Sequence, residues 1–426
     1  MKDTNINNGL WAATASGKPS LTSLVGEHKT EVAIIGGGYT GLSSALHLSL
    51  AGKSSIVLEA NDVGFGGAGR NVGLVNAGLW LMPEDVIKLV GPDHGQRLID
   101  ILGASPDLVF GLIEKYKIPC EAWRHGTLHC ADSKIGYKAL QRREKQWVER
   151  GAPVRLLERD EAAEKTGSKA YIGALLDERA GTIQPLAYAY GLARAALDEG
   201  AQIYARSPVT SLERDGNAWR LTTPGGSVLS NAVIIAVQGY PEAAFKHQIR
   251  NMVPFNYFQF ATSPLGKEIL ETVLPGRNGA WDTNLILSSY RLDALGRLIV
   301  GSVGNLEDFA MGLNRAWALR SIKKVFPQIG TVDLEYAWYG RIAMTTNHIP
   351  RFHILGENLA MVTCYNGRGI GPGTVFGKLL ATYMMGGSPE EIPLPVSKIT
   401  PVFMRGLRGL FYETGSRMYH LAQRLI

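Results

Sequence analysis

Residues 31–59 read EVAIIGGGYTGLSSALHLSLAGKSSIVLE and contain the stretch that decides the fold. The apolar runs EVAII (31–35) and SIVL (55–58) are typical of buried strands, and the turn GGGYTG (36–41) leads into a helical pattern between them. This strand–turn–helix–strand unit is the dinucleotide-binding fingerprint in its full context. It predicts an α/β fold with a Rossmann-type, nucleotide-binding parallel sheet.

Each glycine of the turn has its own role in this fingerprint. Gly36 permits the turn, Gly38 lets the backbone approach a pyrophosphate, and Gly41 lets the helix pack closely on the strand. The helix start, at Tyr39 and Thr40, supplies unpaired N–H groups and the positive end of a helix dipole.

Glu59 ends the second strand, 18 residues after Gly41. Its carboxylate can accept hydrogen bonds from the ribose hydroxyls of an adenosine. Because a carboxylate repels a 2′-phosphate, an NADP-type ligand is disfavoured.

Glycine is concentrated in three windows of the chain, which contains 50 glycines in 426 residues. The windows 36–41, 64–73 and 367–373 hold four, five and four of them. Glycine gathers where a backbone turns sharply or approaches a ligand, whereas disorder would spread it through low-complexity sequence. The windows therefore predict ligand-binding loops.

The second and third windows indicate which cofactor binds. The second follows Glu59 almost directly and can wrap a long cofactor with backbone amides, while the third separates a strand (358–364) from an apolar helix (374–385). A second helix start suits the pyrimidine end of a flavin, which gains negative charge on reduction. The predicted contacts beyond the first turn and Glu59 are Ala60, Gly66, Gly67, Gly69, Arg70, Asn71, Gly73, Gly367, Arg368, Gly369, Ile370 and Gly371.

At these residues the chain resembles the FAD-dependent D-amino-acid oxidase, glycine oxidase and sarcosine oxidase superfamily, and within it the γ-glutamylputrescine oxidase-like enzymes. The segments that carry the resemblance span nearly the whole chain: GGGYTGLSSALHL, LEANDVGFGGAGRNVG, RHGTLHCA (124–131), GALLDERAGTIQP (173–185), NAVIIAVQGY (231–240), SYRLDALGRLIVG (289–301), WYGRIAMTTNHIP (338–350) and YNGRGIGPG.

The resemblance implies FAD as cofactor and oxidation of a C–N bond. Hydride would pass from the carbon bearing the amine to flavin N5, and the imine product would hydrolyse. It also implies a backbone contact from Val209 to the adenine. No catalytic acid–base residue is predicted, because a neutral amine needs none.

Three departures from the family pattern bear on substrate and cofactor. The arginine that holds a substrate carboxylate stands two residues after the W-x-G motif in amino-acid oxidases, whereas here Arg341 stands one residue after it and Ile342 takes the family position. One residue reverses the face of a strand, so an amine is favoured over a simple α-amino acid. Residues 340–346 contain no flavin-linking cysteine, which predicts non-covalent FAD, and Arg368 replaces the usual histidine of the SGHG loop.

Electron transfer after amine oxidation stays open between oxygen and another acceptor. Sarcosine oxidases use a lysine in the region matching 290–300, where this chain has none; Arg291 and Arg297 are the candidates to replace it. Aromatic side chains can line an amine pocket. The candidate substrate pocket comprises Tyr257, Tyr290, Arg291, Trp338 and Arg341.

The resemblance implies two interleaved domains. The FAD-binding domain would use residues 1–90, 155–240 and 335–426, and the substrate domain would place an antiparallel sheet, from 91–154 and 241–334, over the flavin. The alternatives to an amine oxidase are an FAD dehydrogenase that passes electrons to a quinone or other carrier, and a flavin-binding module without turnover.

Composition disfavours several other classes of protein. The net charge of +6 is spread along the chain, which argues against nucleic acid as a partner, and no apolar run predicts a transmembrane segment or signal peptide. Cys120, Cys130 and Cys364 form no spaced pair, so we expect no disulfide framework, no metal site and a cytoplasmic location.

Two local features have ordinary interpretations. His125 and His129 lie too far apart along a predicted half-exposed strand to share a metal. In the basic stretch 403–426, three glycines weaken a continuous helix, so a packed or solvated tail is expected.

Overall fold

The computed structural model of the protein describes residues 9–422, which form two eight-stranded sheets and a two-stranded ribbon. The strands are β1 (Gly26–Ile35), β2 (Ser55–Leu58), β3 (Leu74–Val75), β4 (Thr127–Ala131), β5 (Val154–Glu158), β6 (Gly173–Asp177), β7 (Gly181–Thr182), β8 (Gln202–Tyr204), β9 (Ser211–Asp215), β10 (Ala218–Thr223), β11 (Gly226–Ile235), β12 (Val253–Pro264), β13 (Gly279–Asp282), β14 (Ser288–Leu292), β15 (Arg297–Val303), β16 (Leu334–Met344), β17 (Arg351–Gly356) and β18 (Leu359–Thr363).

Helices cover the sheets and carry the glycine windows. The α-helices are α1 (Gly9–Thr14), α2 (Tyr39–Leu50), α3 (Pro83–Val90), α4 (Pro92–Gly103), α5 (Ser105–Lys115), α6 (Lys134–Val148), α7 (Arg159–Thr166), α8 (Pro185–Asp198), α9 (Lys267–Leu270), α10 (Ala310–Val325), α11 (Ile370–Met384) and α12 (Arg405–Ala422). Single 3₁₀ turns occur at Gly67–Gly69, Ala243–Phe245, Pro327–Ile329 and Pro389–Glu391.

The first sheet is the predicted Rossmann-type sheet. Its strand order is β17-β18-β11-β1-β2-β8, and β10 and β9 extend it from β11. Strand β1 pairs in parallel with both β2 and β11, and its last four residues are buried, as expected for a parallel strand with both faces covered. The carboxyl ends of β1 and β2 deliver the first glycine window and Glu59 to one edge of the sheet.

The second sheet, in the order β16-β12-β15-β14-β13-β4-β6-β5, is antiparallel except between β13 and β4. Its two faces pack against different layers. Phe258 and Phe260 enter a core with residues of α10, whereas Gln259 reaches the opposite face and contacts the second glycine window. We call this opposite face the inner face; it lies over the glycine windows, as the predicted architecture requires.

Sheet membership bears on the predicted domain boundaries. The second sheet takes strands from 127–177 and 253–344. Strands β5, β6 and β16 therefore lie in segments that the sequence assigned wholly or mainly to the FAD-binding domain. The domain division stays a prediction.

The C-terminal stretch corrects the expectation that its glycines weaken a continuous helix. Residues Arg405–Ala422 form one helix despite Gly406, Gly409 and Gly415. A Cβ on Gly409 would lie 3.5 Å from the carbonyl oxygen of Pro254, an ordinary van der Waals distance, so α12 packs against β12 of the second sheet at this point. Tertiary packing outweighs the cost of about 1 kcal/mol for each helical glycine. Among the described residues, no helix has the length and apolar character needed to cross a bilayer.

Helices α2 and α11 cross in close contact, and this contact places the first and third glycine windows side by side. Ser43 Oγ donates to the carbonyl of Thr374 at 2.6 Å, and Ser44 Oγ donates to that of Gly377 at 2.9 Å. A Cβ on Gly377 would lie 2.5 Å from the carbonyl oxygen of Thr40 and 2.6 Å from Cβ of Ser43. Only glycine fits at this crossing without displacing the helices.

We expect Gly377→Ala to lower the free energy of unfolding by about 1–3 kcal/mol, because the added methyl group forces the two helices apart. Gly312→Ala in α10 is the matched control: its Cβ would meet no described atom within 4 Å. That variant should be unchanged or more stable by up to about 1 kcal/mol. Chemical denaturation of both apoproteins measures the difference, and equal stabilities would contradict the packing argument.

Candidate active site

The first glycine window has the geometry of a phosphate cradle. Gly36 has a φ of 109°, in the region that favours glycine, and a Cβ on Gly41 would lie 1.9 Å from the carbonyl oxygen of Gly36. A Cβ on Gly38 would instead meet no described atom within 4 Å. No side chain of the described residues caps α2 at Gly38, so its first-turn amides have no side-chain acceptor. The residues present therefore fit a pyrophosphate.

Glu59 lies at the end of β2 with its carboxylate oriented by two backbone amides. Oε2 accepts from Gly37 N at 2.6 Å, and Oε1 accepts from Asn61 N at 2.9 Å. Burial raises the pKa of Glu59, and these two hydrogen bonds oppose that shift. Each oxygen keeps a second lone pair, which suits two ribose hydroxyls. Ala60 follows it, and Val209 packs in the same core cluster as Ile35 and Leu58, the last residues of β1 and β2.

The second glycine window is bonded to the first. Gly64 N donates to the carbonyl of Gly37 at 3.0 Å, and Tyr39 OH lies 2.6 Å from the carbonyl oxygen of Ala68. Asn71 Nδ2 donates to Tyr39 OH at 3.1 Å. The side chains of Tyr39 and Asn71, both predicted cofactor contacts, thus support the loop that Gly66, Gly67 and Gly69 form.

Carbonyls of the second window are held by donors from the second sheet. The carbonyl of Arg70 accepts from Gln259 Nε2 at 2.6 Å and from Trp338 Nε1 at 3.2 Å. Arg291 Nη1 reaches the carbonyls of residues 72, 73 and 183. The predicted pocket residues Trp338 and Arg291 are both fully buried, and their polar groups position the loop.

Tyr290 also differs from its predicted place in the pocket. Strand alternation turns it to the outer face, where it is buried against Phe326 and its hydroxyl lies 2.7 Å from Ser321 Oγ. Tyr257 lies on the inner face, half-buried, with its hydroxyl 2.8 Å from Ser289 Oγ. Of the aromatic candidates in the predicted pocket, Tyr257 keeps a position suited to a ligand.

Arg341 and Ile342 occupy opposite faces of β16. Arg341 is exposed, and its guanidinium lies 5.7 Å from the ring centre of Tyr240. Ile342 lies on the inner face, where its Cδ1 would be 3.3 Å from a Cβ on Gly367. The position next to the third glycine window is therefore filled by an aliphatic side chain.

The third window turns directly into α11. Gly369 is the N-cap, no described side chain caps it, and a Cβ on Gly371 would lie 2.4 Å from Ser105 Oγ. Arg368 is nearly buried, and its Nη1 donates to the carbonyls of Ala77 and Leu79 at 3.0 and 3.1 Å. Its side chain therefore leaves the helix start and extends towards the second sheet.

The surroundings of His129 correct the expectation that its strand is half-exposed. Strand β4 is almost wholly buried, and the His129 ring stacks on Trp281 of β13 at 3.4 Å between ring centres. His125 is exposed and bonds to the carbonyl of Gly276 at 2.9 Å. Within residues 9–422, no group of His, Cys, Asp or Glu side chains is arranged to hold a metal ion.

Four residues around the windows were not among the predicted site residues. Gln259, Trp11, Trp80 and Trp281 contact the windows or their supports, and each does so through the fold. A polar Gln259 between Phe258 and Phe260 on a buried strand is the single hint, since a fully buried amide needs a partner.

The chain matches a known protein family over most of its length. The profile of the FAD dependent oxidoreductase family, abbreviated DAO, matches residues 31–383. The chain belongs to this family. It is therefore an FAD-dependent oxidoreductase, which confirms the predicted family and cofactor.

Relatives and solved structures agree with this assignment. The chain is 33% identical to the probable oxidoreductase OrdL of Haemophilus influenzae, over 86% of this chain and 85% of that protein. It is 30% identical to the γ-glutamylputrescine oxidoreductase of Escherichia coli, over 99% of both. The crystal structure of glycine oxidase from Geobacillus kaustophilus shares the fold, with a TM-score of 0.74 and 19% identity over 88% of this chain and 100% of that one.

The open space at Gly38 predicts different outcomes for two alanine substitutions. We expect Gly38→Ala to leave the stability of the apoprotein within about 1 kcal/mol, since the methyl group enters empty space, but to weaken FAD binding at least tenfold. Gly41→Ala should destabilise the apoprotein itself, because its methyl group overlaps the carbonyl of Gly36.

Thermal unfolding of the apoproteins and titration with FAD, followed by quenching of flavin fluorescence, check both variants. Undiminished FAD affinity in Gly38→Ala would place the pyrophosphate elsewhere.

Proposed function

We propose that the protein oxidises the C–N bond of an amine or an N-substituted amino compound, and that the imine formed is then hydrolysed. Family membership supports the chemistry. The relative from Escherichia coli, whose name gives γ-glutamylputrescine as its substrate, supports an amine. Bound FAD supplies the acceptor for the hydride.

The observation that carries the choice of an amine is the Arg341–Ile342 pair. An α-carboxylate beside the reacting carbon needs a cation on the inner face of β16. Ile342 stands there, and Arg341 is exposed on the outer face. An aliphatic contact suits the methylene groups of an amine and offers a carboxylate no compensation for lost hydration.

The residues of this chain would divide the work of holding FAD. The first turn would bind the pyrophosphate, Glu59 the ribose, and Val209 the adenine. The 64–73 loop would wrap the middle of the cofactor, and the start of α11 would face the pyrimidine ring. Tyr257 and Ile342 would cover the substrate side, where they exclude water from the amine.

We infer that FAD is held without a covalent bond. A flavin-linking cysteine must be accessible and form a thiolate. Cys120, Cys130 and Cys364 are all buried, and burial raises the pKa of Cys120 and Cys364 to about 12 and that of Cys130 well above its usual value.

A second candidate function is an FAD dehydrogenase that delivers electrons to a quinone or another carrier. The two arginines considered as replacements for the oxygen-activating lysine favour it. Arg291 is fully buried under the 64–73 loop, and Arg297 pairs with Asp293 at 3.2 Å and Glu335 at 3.0 Å. Both cations are thus already engaged by protein groups, Arg291 by backbone carbonyls and Arg297 by two carboxylates.

Anaerobic mixing with a panel of amines tests the proposed function. We expect γ-glutamylputrescine to bleach the flavin absorbance faster than glycine or sarcosine, because no cation faces an α-carboxylate on β16. Photoreduction of the same sample is the control for a reducible flavin. If photoreduction bleaches the flavin and no amine does, the chain binds FAD without turnover; fastest bleaching by glycine would contradict the choice of an amine.

Two further measurements separate the remaining alternatives. Denaturation should release all of the FAD into the supernatant, and yellow colour retained on the precipitated protein would show a covalent bond. Peroxide formed under air, compared with reduction of an artificial dye under nitrogen, distinguishes the oxidase from the dehydrogenase.

A further inference from the structure

The third glycine window and the inner face of the second sheet together form a cluster of one cation and three aromatic rings. Its members are Arg368, Trp80, Trp281 and His129. The guanidinium carbon of Arg368 lies 4.5 Å from the ring centre of Trp80 and 5.0 Å from that of Trp281. Trp80 meets Trp281 edge-on at 5.1 Å. We call these four residues the Arg368 cluster.

The Arg368 cluster adjoins the predicted flavin end of the cofactor site. Trp80 Nε1 donates to the carbonyl of Asn366 at 2.5 Å, and it would lie 4.0 Å from a Cβ on Gly367. Trp281 and His129 are cross-strand neighbours on β13 and β4, which places both on the inner face. The cluster therefore lies between the third window and the second sheet, where the resemblance puts the substrate.

Three polar atoms of the cluster have no hydrogen-bond partner among the described residues: Arg368 Nε, Trp281 Nε1 and His129 Nδ1. All three atoms are buried, and the Trp281 ring contacts both of the other side chains. Native proteins leave few buried polar atoms unpaired, because each costs about 1–3 kcal/mol. Arg368 Nε and Trp281 Nε1 can only donate, and His129 Nδ1 can donate in one tautomer, so the cluster indicates a ligand group that accepts hydrogen bonds.

The charge of the site indicates that this ligand group is an anion. Arg368 is 8% exposed, and no ion pair within residues 9–422 involves it. A second cation, the half-buried Arg143, supports the same segment by donating to the carbonyls of Trp80 and Leu81, and no ion pair within residues 9–422 involves it either. Burial, with Arg143 adding to it and Asp177 opposing it, lowers the pKa of Arg368 to about 9, so Arg368 is charged at neutral pH. Buried charges in proteins are normally compensated.

Two anionic groups could approach from this side: the pyrimidine edge of a reduced flavin, or a carboxylate of the substrate. The backbone at the start of α11 already faces the first. The Arg368 side chain instead lies between Trp80 and Trp281, on the way to the inner face. Its direction favours the substrate.

We propose that Arg368, with Trp281 and His129, binds a carboxylate of the amine substrate, at a place separate from the β16 position that Ile342 fills. This inference rests on the proposed function. It narrows the substrate to an amine whose carboxylate lies outside the reacting C–N unit. The Trp80 and Trp281 rings pack against the chain that joins the two groups.

Binding of benzoate to the FAD-loaded enzyme tests the carboxylate site without any turnover. Benzoate is a flat carboxylate with no amine, and its approach to the flavin changes the visible absorption spectrum. We expect a saturable change in the unsubstituted enzyme and at least tenfold weaker binding in Arg368→Gln, because a charge-assisted hydrogen bond is lost. Arg368→Lys should recover part of the affinity.

Benzamide, of the same shape but neutral, is the matched ligand and should bind the unsubstituted enzyme and Arg368→Gln equally. Arg341→Gln removes the competing cation and should change benzoate affinity less than twofold. If Arg368→Gln fails to retain FAD, Trp281→Phe keeps the ring, removes Nε1 and should weaken benzoate by about fivefold.

Three results would each overturn the proposal. They are equal benzoate affinity in Arg368→Gln and the unsubstituted enzyme, loss of benzoate binding in Arg341→Gln instead, and no spectral change with benzoate at all. These results are independent of amine bleaching. A benzoate site at Arg368 in an enzyme that no amine reduces would refute the proposed function and leave the carboxylate site standing.

Discussion

The close crossing of α2 and α11 is the constraint on which the rest of the structure depends. Each helix begins with a glycine window, so their crossing fixes the distance between the two windows that we propose bind opposite ends of FAD. Gly373 and Gly377 permit the approach, and Ser43 and Ser44 secure it with hydrogen bonds to backbone carbonyls. Two helices that pack tightly at small residues shift little relative to each other, because packed interiors resist deformation.

The second window belongs to neither sheet and is held from both sides. Tyr39 binds it from the first sheet's helix, while Gln259 and Trp338 bind the carbonyl of Arg70 from the second sheet. Arg291 adds a buried cation whose described acceptors are all carbonyls, which is a costly arrangement for a guanidinium. The energetic cost of burying the Arg291 guanidinium is consistent with a role in positioning the loop. The same donors that hold the loop also hold the second sheet in place relative to it.

Local sequence was enough to predict the features that depend on neighbouring residues. The strand, turn, helix and Glu59 all lie within 31–59, so periodicity and spacing determine them together. The same reasoning failed for α12, where three glycines were expected to weaken a continuous helix, whereas Arg405–Ala422 form one helix that packs against β12. Helix propensity is a weak preference that tertiary contacts override.

The Arg368 cluster could not be predicted, because its members come together only through the fold. His129 and Trp281 are brought together by the parallel pairing of β4 with β13, and that pairing has no signature within either strand. Tyr290 and Arg291 show the same limit at closer range. Both were assigned to the pocket, yet adjacent strand residues must face opposite ways, and a choice of face needs the register of the whole sheet.

The register of β16 has a chemical consequence for the position of positive charge. Because Arg341 stands one residue before the position of the family arginine, Ile342 occupies the inner face, which is apolar there. The positive charge next to the third window comes instead from Arg368, a residue of the window itself. With FAD placed as we propose, a cation on the strand would stand beside the reacting carbon, whereas one at the helix start would stand at the pyrimidine end of the flavin. The two placements suit carboxylates at different distances from the amine. Moving the charge from strand to loop is therefore a physical route by which one fold can exchange an α-amino acid for a longer amine.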